Sequence, residues 1–347
     1  MEKLKIGIIG CGSISMQRHA PEYFANPNCE IVGLFDPIQE RAELVRNKFG
    51  GKLYNTIEEM LADSNIDAVS VCTSNSAHAK ISIDAMNAGK HVLCEKPMAV
   101  TMDDCLEMGK VAEKTGMILM IGHNQRFAPA HVKAKKIINS GELGRVISFR
   151  TTFGHMGPEY WSADKSKKTW FFDKKAAFLG ATADLGIHKL DLISWLLDDS
   201  IGKISAFCET LDKKDDASEP ISVDDNMVCL LKMKKGSIGT LTVSWTYYGE
   251  EDNSTVLYCE NGIIRIYDNE NYPVEIEYRN SEKAYFKVGS IQTNTDVVQA
   301  NSGVIDAFIE SIVNNSVPAV SYQEAISIMR AIFACVESSQ EGAIIKF

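Results

Sequence analysis

Short apolar runs alternate with helical periodicity through the first 122 residues. Lys5 to Ile9, Ile31 to Phe35, Ala68 to Cys72, His91 to Cys94 and Met117 to Ile121 are rich in Ile, Val and Leu, the pattern of strands buried on both faces of a parallel sheet. Between them lie helical stretches: Gln39 to Phe49 before Gly50-Gly51, Ala77 to Ala88 before Gly89, and Met102 to Lys114 before Gly116. The last opens on Thr101 with Asp104 three residues later, a capping-box arrangement. Strands joined by helices cross over right-handed, so the pattern predicts an α/β, doubly wound parallel sheet over residues 1–122.

Beyond Gly122 the rhythm changes. A helix is predicted around Ala130 to Asn139, a strand at Val146 to Phe153 and a helix from Ala181 to Leu197. Lys203 to Thr210, Met227 to Met233, Ser237 to Trp245, Thr255 to Cys259 and Ile263 to Tyr267 then read as strands, punctuated by the turn pairs Lys235-Gly236 and Asn261-Gly262. Helices Val304 to Val313 and Glu324 to Glu337 close the chain, the second behind the capping box that starts at Ser321. Residues 123–347 are thus expected to form an α+β unit on a mostly antiparallel open sheet, with Asp212 to Glu219 as an exposed loop. No internal repeat interrupts this order.

Composition narrows the function classes. The chain has 347 residues, 45% hydrophobic and 24% charged, with 36 Lys and Arg against 46 Asp and Glu, a net charge of −10. These are globular values, and the negative balance disfavours a nucleic-acid backbone or an anionic bilayer as partner. No apolar run reaches the ~18 residues of a membrane span. Lys3 and Lys5 before Ile6 to Cys11 superficially resemble a lipoprotein leader, but Gly7 cuts the apolar run short. The nine cysteines are odd in number and hold no C-x-x-C pair, which points to reduced core thiols, no disulfide framework, no zinc site and a cytoplasmic setting.

Chemistry enters at the strand ends. Gly10-Cys11-Gly12-Ser13-Ile14-Ser15 follows the first strand and opens a helix, the context of a Rossmann dinucleotide fingerprint with Ser15 at the third glycine's place. Gly10 allows the tight turn, and Gly12 lets a pyrophosphate approach the helix N-terminus. Asp36 ends the second strand, where a carboxylate accepts from ribose hydroxyls; its bland reading is a turn residue before Pro37. No basic residue immediately follows Asp36, which favours NAD over NADP, with Arg41 in reach as the counterweight. Thr73, Ser74, Asn75 and His78 leave the next long strand at the ligand-binding edge, although Ser74 or Asn75 can equally cap a helix and His78 can be a surface residue. Glu95-Lys96-Pro97 ends the following strand, and the proline biases Lys96 toward extended backbone pointing out of that same edge.

Gly10-Cys11-Gly12, Glu95-Lys96-Pro97, Gly122-His123-Asn124-Gln125-Arg126-Phe127 and the run Gly180 to Asp191, in this order, resemble the successive motifs of the Gfo/Idh/MocA oxidoreductases, the relatives of glucose-fructose oxidoreductase and inositol dehydrogenase. The resemblance spans essentially the whole chain. It implies an N-terminal Rossmann domain, a C-terminal domain whose open sheet makes homodimer or homotetramer contacts, and oxidation or reduction at a ring carbon of a sugar, cyclitol or glycoside. It implies further a set of Lys96, Asp184 and His188 at the reacting centre. Leu179 stands where the family often has another glycine before Gly180, a departure that bears on pocket shape.

The set is chemically coherent by itself. Asp184 and His188 are four residues apart on a predicted helix and share one face. Hydride removal from a secondary alcohol needs a base for the hydroxyl proton, which His188 can provide, while Lys96 stabilises alkoxide charge and Asp184 orients substrate or imidazole. The alternative is a helix histidine satisfied by Asp184 or Asp191. No clustered ligands suggest a metal. Arg126, His155, Trp161, Trp170 and Phe171 are expected to contact substrate, and Asn124 the nicotinamide or substrate. Domain-interface packing of the aromatics and a carboxylate partner for Arg126 remain alternative readings. Two other functions stay open: a redox-assisted isomerase or lyase that recycles a tightly bound NAD, and a cofactor-binding sensor or assembly subunit without turnover.

Overall fold

The structure is a computed structural model that describes residues 2–163, 165–269, 271–289, 291 and 301–347. Six strands form the first sheet: β1 Leu4–Ile9, β2 Cys29–Phe35, β3 Lys52–Leu53, β4 Ala68–Val71, β5 His91–Cys94 and β6 Leu119–Ile121. They are all parallel in the order β3-β2-β1-β4-β5-β6, a Rossmann doubly wound sheet. All four residues of β4 are buried, as expected of a strand covered by helices on both faces. The order reverses between β1 and β4, so their carboxyl ends splay and leave a crevice. The helix Met102–Thr115 starts where Thr101 Oγ1 accepts from Asp104 N and stops at Gly116 in the left-handed region.

The second sheet has nine strands: β7 Val146–Gly154, β8 Ile201–Glu209, β9 Asn226–Met233, β10 Ile238–Ser244, β11 Thr255–Cys259, β12 Gly262–Ile266, β13 Val274–Tyr278, β14 Lys283–Phe286 and β15 Ile345–Lys346. Their order is β14-β13-β12-β11-β7-β10-β9-β8-β15, antiparallel throughout except for the parallel pair β7 and β10. One face carries helices. The other is open: Val228 and Leu230 are 51% and 58% exposed, alternating on β9 with buried Met227, Cys229 and Leu231, and Phe207 and Ile238 are exposed on neighbouring strands.

Two differences from the sequence reading, and one contact between the two halves, matter for the site. The segment 181–197 is not one regular helix: a π-helical turn, Thr182–Gly186, runs into the α-helix Ile187–Leu197. The loop around Asp212 is not wholly exposed, because Lys213 is buried. The helix Tyr322–Glu341, opened by the Ser321–Glu324 capping box, packs on β8 and also on Met102–Thr115, where Gly109 leaves room for the Tyr322 ring. The last helix therefore clamps the two sheets together.

Candidate active site

The crevice at the carboxyl ends of β1, β2 and β4 holds a cavity of about 550 Å³ lined by Gly10, Gly12, Ser13, Ile14, Asp36, Arg41, Thr73 and Ser74. Gly10 has φ +91°, and a Cβ there would lie 2.5 Å from the Cys72 carbonyl oxygen, so only glycine lets the loop lie this close to β4. Around the Cβ position of Gly12 there is open space instead, on the cavity side. Asp36 is fixed by backbone: Oδ2 accepts from Cys11 N at 2.7 Å and Oδ1 from Ile38 N at 2.8 Å, leaving each oxygen a further lone pair. A glycine turn at a helix N-terminus and a backbone-anchored carboxylate at the end of β2 fit a dinucleotide.

A second cavity adjoins it and shares Ile14, Thr73, Trp161, Trp170 and Phe171 as walls. Into this inner space come Lys96 and Glu95 from the end of β5, Asn124 and Gln125 after β6, Asp184 from the π-turn and His188 from the helix that follows. Lys96 Nζ donates to Asp184 Oδ1 at 2.7 Å and to Asp184 O at 3.1 Å, and Trp245 Nε1 donates to Asp184 Oδ2 at 3.2 Å. His188 is buried, and its Nδ1 has no hydrogen-bond partner among the described residues. Burial holds the imidazole well below its ordinary range, and the charges of Lys96 and Arg18 push the same way. Beneath Lys96, Glu95 accepts from His19 Nε2 at 2.9 Å; burial would raise this carboxyl, yet His19, Arg18 and Lys96 hold it at about 2.

Residues 4–123 match the model of an oxidoreductase family with an NAD-binding Rossmann fold, and residues 131–265 match the GFO/IDH/MocA C-terminal domain. The chain belongs to the Gfo/Idh/MocA oxidoreductase family. Its relatives include a levoglucosan dehydrogenase of Pseudarthrobacter phenanthrenivorans, 28% identical over 74% of this chain and 71% of that one. A 1,5-anhydro-D-fructose reductase of Ensifer adhaerens is 25% identical over 97% of this chain and 96% of that one. A levoglucosan dehydrogenase solved in complex with NADH and L-sorbose superposes with a TM-score of 0.87 at 21% identity, covering 99% of this chain and 98% of that one, and shares the fold.

In this Gfo/Idh/MocA member not every residue singled out from sequence faces a cavity. Asn75 and Asn124 line the inner cavity rather than the dinucleotide crevice, and Asn75 Nδ2 donates to Ala177 O at 2.8 Å. His78 is buried, its ring nitrogens at 2.7 Å and 3.2 Å from the carbonyls of Pro97 and Thr73, so it braces the turn beneath the crevice. Arg126 lines neither cavity; its guanidinium grips Asp191 through Nε and Nη2 at 2.8 and 2.6 Å and reaches Glu324 at 2.9 Å. His155 sits behind Trp161, edge-on to its ring, with Nδ1 bonded to the Met156 carbonyl. The inner cavity also takes residues with no sequence signal: Arg18, Phe153, Glu251 and Asn253. Gln125 Nε2 donates to Asn253 Oδ1 at 3.1 Å, and buried Lys189 donates to Asn253 O at 2.9 Å. Burial pushes the Lys189 ammonium down to about 7, against the pull of Asp252 and Glu251.

Proposed function

We propose that this protein is an NAD-dependent dehydrogenase that transfers a hydride between the cofactor and a hydroxyl-bearing ring carbon of a sugar, cyclitol or glycoside. The observation that carries the reading is the convergence of Lys96, Asp184 and His188 on one cavity that opens into the dinucleotide crevice. Gly10, Gly12, Ser13 and Ile14 would hold the pyrophosphate, Thr73 and Ser74 the nicotinamide half, and Asp36 the adenosine ribose. When bound, the nicotinamide supplies the hydride acceptor.

His188 acts as the general base. Because burial favours its neutral form, the ring is ready at neutral pH to take the proton of a substrate hydroxyl. Lys96 has three N–H groups, of which two go to Asp184, leaving the third for the same substrate oxygen. There it stabilises the negative charge that grows as the proton leaves. Asp184 holds the ammonium in place. The faces of Trp161, Trp170 and Phe171 suit the apolar sides of a sugar ring, in keeping with the sugars on which the two named relatives act. Asp36, already anchored by two amides, favours NAD because a 2′-phosphate would meet its charge. We further propose that the open face of the second sheet, with Phe207, Val228, Leu230 and Ile238 exposed, closes a homodimer or homotetramer.

The test is turnover of a panel of hexoses, anhydrosugars, cyclitols and glycosides followed at the absorbance of NADH. Stoichiometric NADH with at least one ring alcohol is the expected result. Product without net NADH would replace the reading by internal cofactor recycling, and NAD binding without product from any of the panel would overturn it.

A further inference from the structure

We propose that Asp224 is a positioning residue that aims Asp184 at Lys96, an inference that rests on the catalytic reading above. Asp224 lies just before β9, is 8% exposed and touches neither cavity. Its Oδ1 accepts from Gly180 N at 2.9 Å, its Oδ2 from Thr182 N at 2.7 Å, and its backbone carbonyl from Ala181 N at 2.9 Å. One residue thus collects three consecutive N–H groups at the start of the segment that carries Asp184 and His188. These are donors that a helix start leaves without intrahelical partners. The contact is close on both sides: a Cβ on Gly180 would lie 1.8 Å from the Asp224 carbonyl oxygen.

The neighbouring residue extends the brace. Asp225 is fully buried; its Oδ1 accepts from Leu211 N and its Oδ2 from Asp212 N and Lys213 N, while its carbonyl accepts from Trp245 N at 2.8 Å. Trp245 in turn donates its indole N–H to Asp184, so the Asp184 carboxylate is steered from two directions by adjacent residues of one strand end. Asp184 sits in a π-turn, an irregularity that recurs at functional sites, with its N–H bonded to Gly180 O at 2.9 Å. The three Asp224 bonds fix where this turn begins, and a displacement of about 1 Å at a reacting group costs about 100-fold in rate.

Asp224→Asn replaces one acceptor by an NH₂ group facing an N–H donor. With myo-inositol and levoglucosan as substrates, kcat should fall about 10- to 100-fold while NADH affinity stays within about twofold. Asp184→Asn should abolish most turnover, and adding Asp224→Asn to it should cost no further factor beyond about twofold, because both act through the same carboxylate. A readout independent of turnover is the ¹³Cε resonance of Lys96 in ¹³C-lysine-labelled protein, assigned with Lys96→Arg; Asp224→Asn should move it in the same direction as Asp184→Asn does. Should Asp224→Asn not fold, Gly180→Ala, which forces the turn off the Asp224 carbonyl, should reproduce the loss of kcat. Normal kcat in these variants, losses that multiply in the double variant, or an unmoved Lys96 resonance would each overturn the inference while leaving the catalytic reading intact. Full activity of Asp184→Asn would overturn the reading, and this inference with it.

Discussion

Lys96 donates to Asp184 twice, to the carboxylate at 2.7 Å and to the backbone carbonyl at 3.1 Å, across 88 residues of chain. One partner ends a strand of the parallel sheet and the other sits in the π-turn laid against the second sheet. The pair is largely out of water, which makes it costly to break from one side. Replacing Lys96 by Met should lower kcat by at least about 100-fold, and Asp184→Asn should do the same, with NAD affinity changed less than about threefold. Steady-state kinetics alongside fluorescence titration of NADH reads both numbers, and unchanged kcat in Lys96→Met would remove the ammonium from the reaction.

His188→Ala should lower kcat by about two to four orders of magnitude while NADH still binds. The pH dependence has a definite sign. Only the neutral imidazole accepts a proton, and burial and neighbouring cations hold its pKa below the usual value of about 6.5. Activity lost by protonating this ring should therefore appear on the acid side at a pH below 6.5, not near neutrality. A kcat/KM profile whose acid limb sits at or above 6.5 would contradict the assignment.

Asp36→Ala should weaken NAD binding about tenfold or more with little change in kcat, and should narrow the preference for NAD over NADP. Isothermal titration with both cofactors measures the ratio. Equal NAD affinity in the variant would show that the carboxylate only shapes the Gly10 turn.

Acid should unfold this protein through its histidines. His78, His123, His131, His155 and His188 are all buried with pKa values lowered by desolvation, His131 to about 3. In the unfolded chain each takes a proton below about 6.5, whereas the folded protein refuses it, so stability rises with pH in that range and falls as pH drops below it. Each such histidine contributes up to about 1.4 kcal/mol per pH unit. Melting temperature measured from pH 7.5 to 5 should decline below about 6.5, and a flat profile would refute the argument.

Placing charge on the open sheet face should disturb assembly and spare chemistry. Val228→Glu with Leu230→Glu adds two carboxylates to exposed positions of β9 whose neighbours Met227 and Cys229 point into the core. Light scattering should then report monomer from a parent that is dimer or tetramer, with a melting temperature within a few degrees. A parent that is itself monomeric would dismiss the proposed interface.

Local chemistry is what a linear chain displays, and here it displayed a good deal. Short apolar runs located β1, β2, β4, β5 and β6 to within two residues, and helical periodicity placed the helix Val304–Val313 to the residue. The glycine turn at Gly10, the Thr101 cap and the Ser321 capping box were readable because each depends on residues within a few positions of one another. Motif order likewise pointed to Lys96, Asp184 and His188. Folding in three dimensions decided the rest. That Arg126 spends its guanidinium on Asp191, that Arg18, Glu251 and Asn253 face the inner cavity, and that Trp245 and Asp224 flank Asp184 all depend on contacts between segments far apart in the chain. So does the parallel pairing of β7 with β10, and so does the antiparallel pairing of β13 with β14, where Lys283 stands opposite Glu277 and its ammonium reaches Glu275 at 3.0 Å. Hydrophobic burial is non-directional: it drives the elements together, and only shape and hydrogen-bond satisfaction choose which side chains meet. Periodicity is a property of neighbours in sequence; a site is a property of neighbours in space.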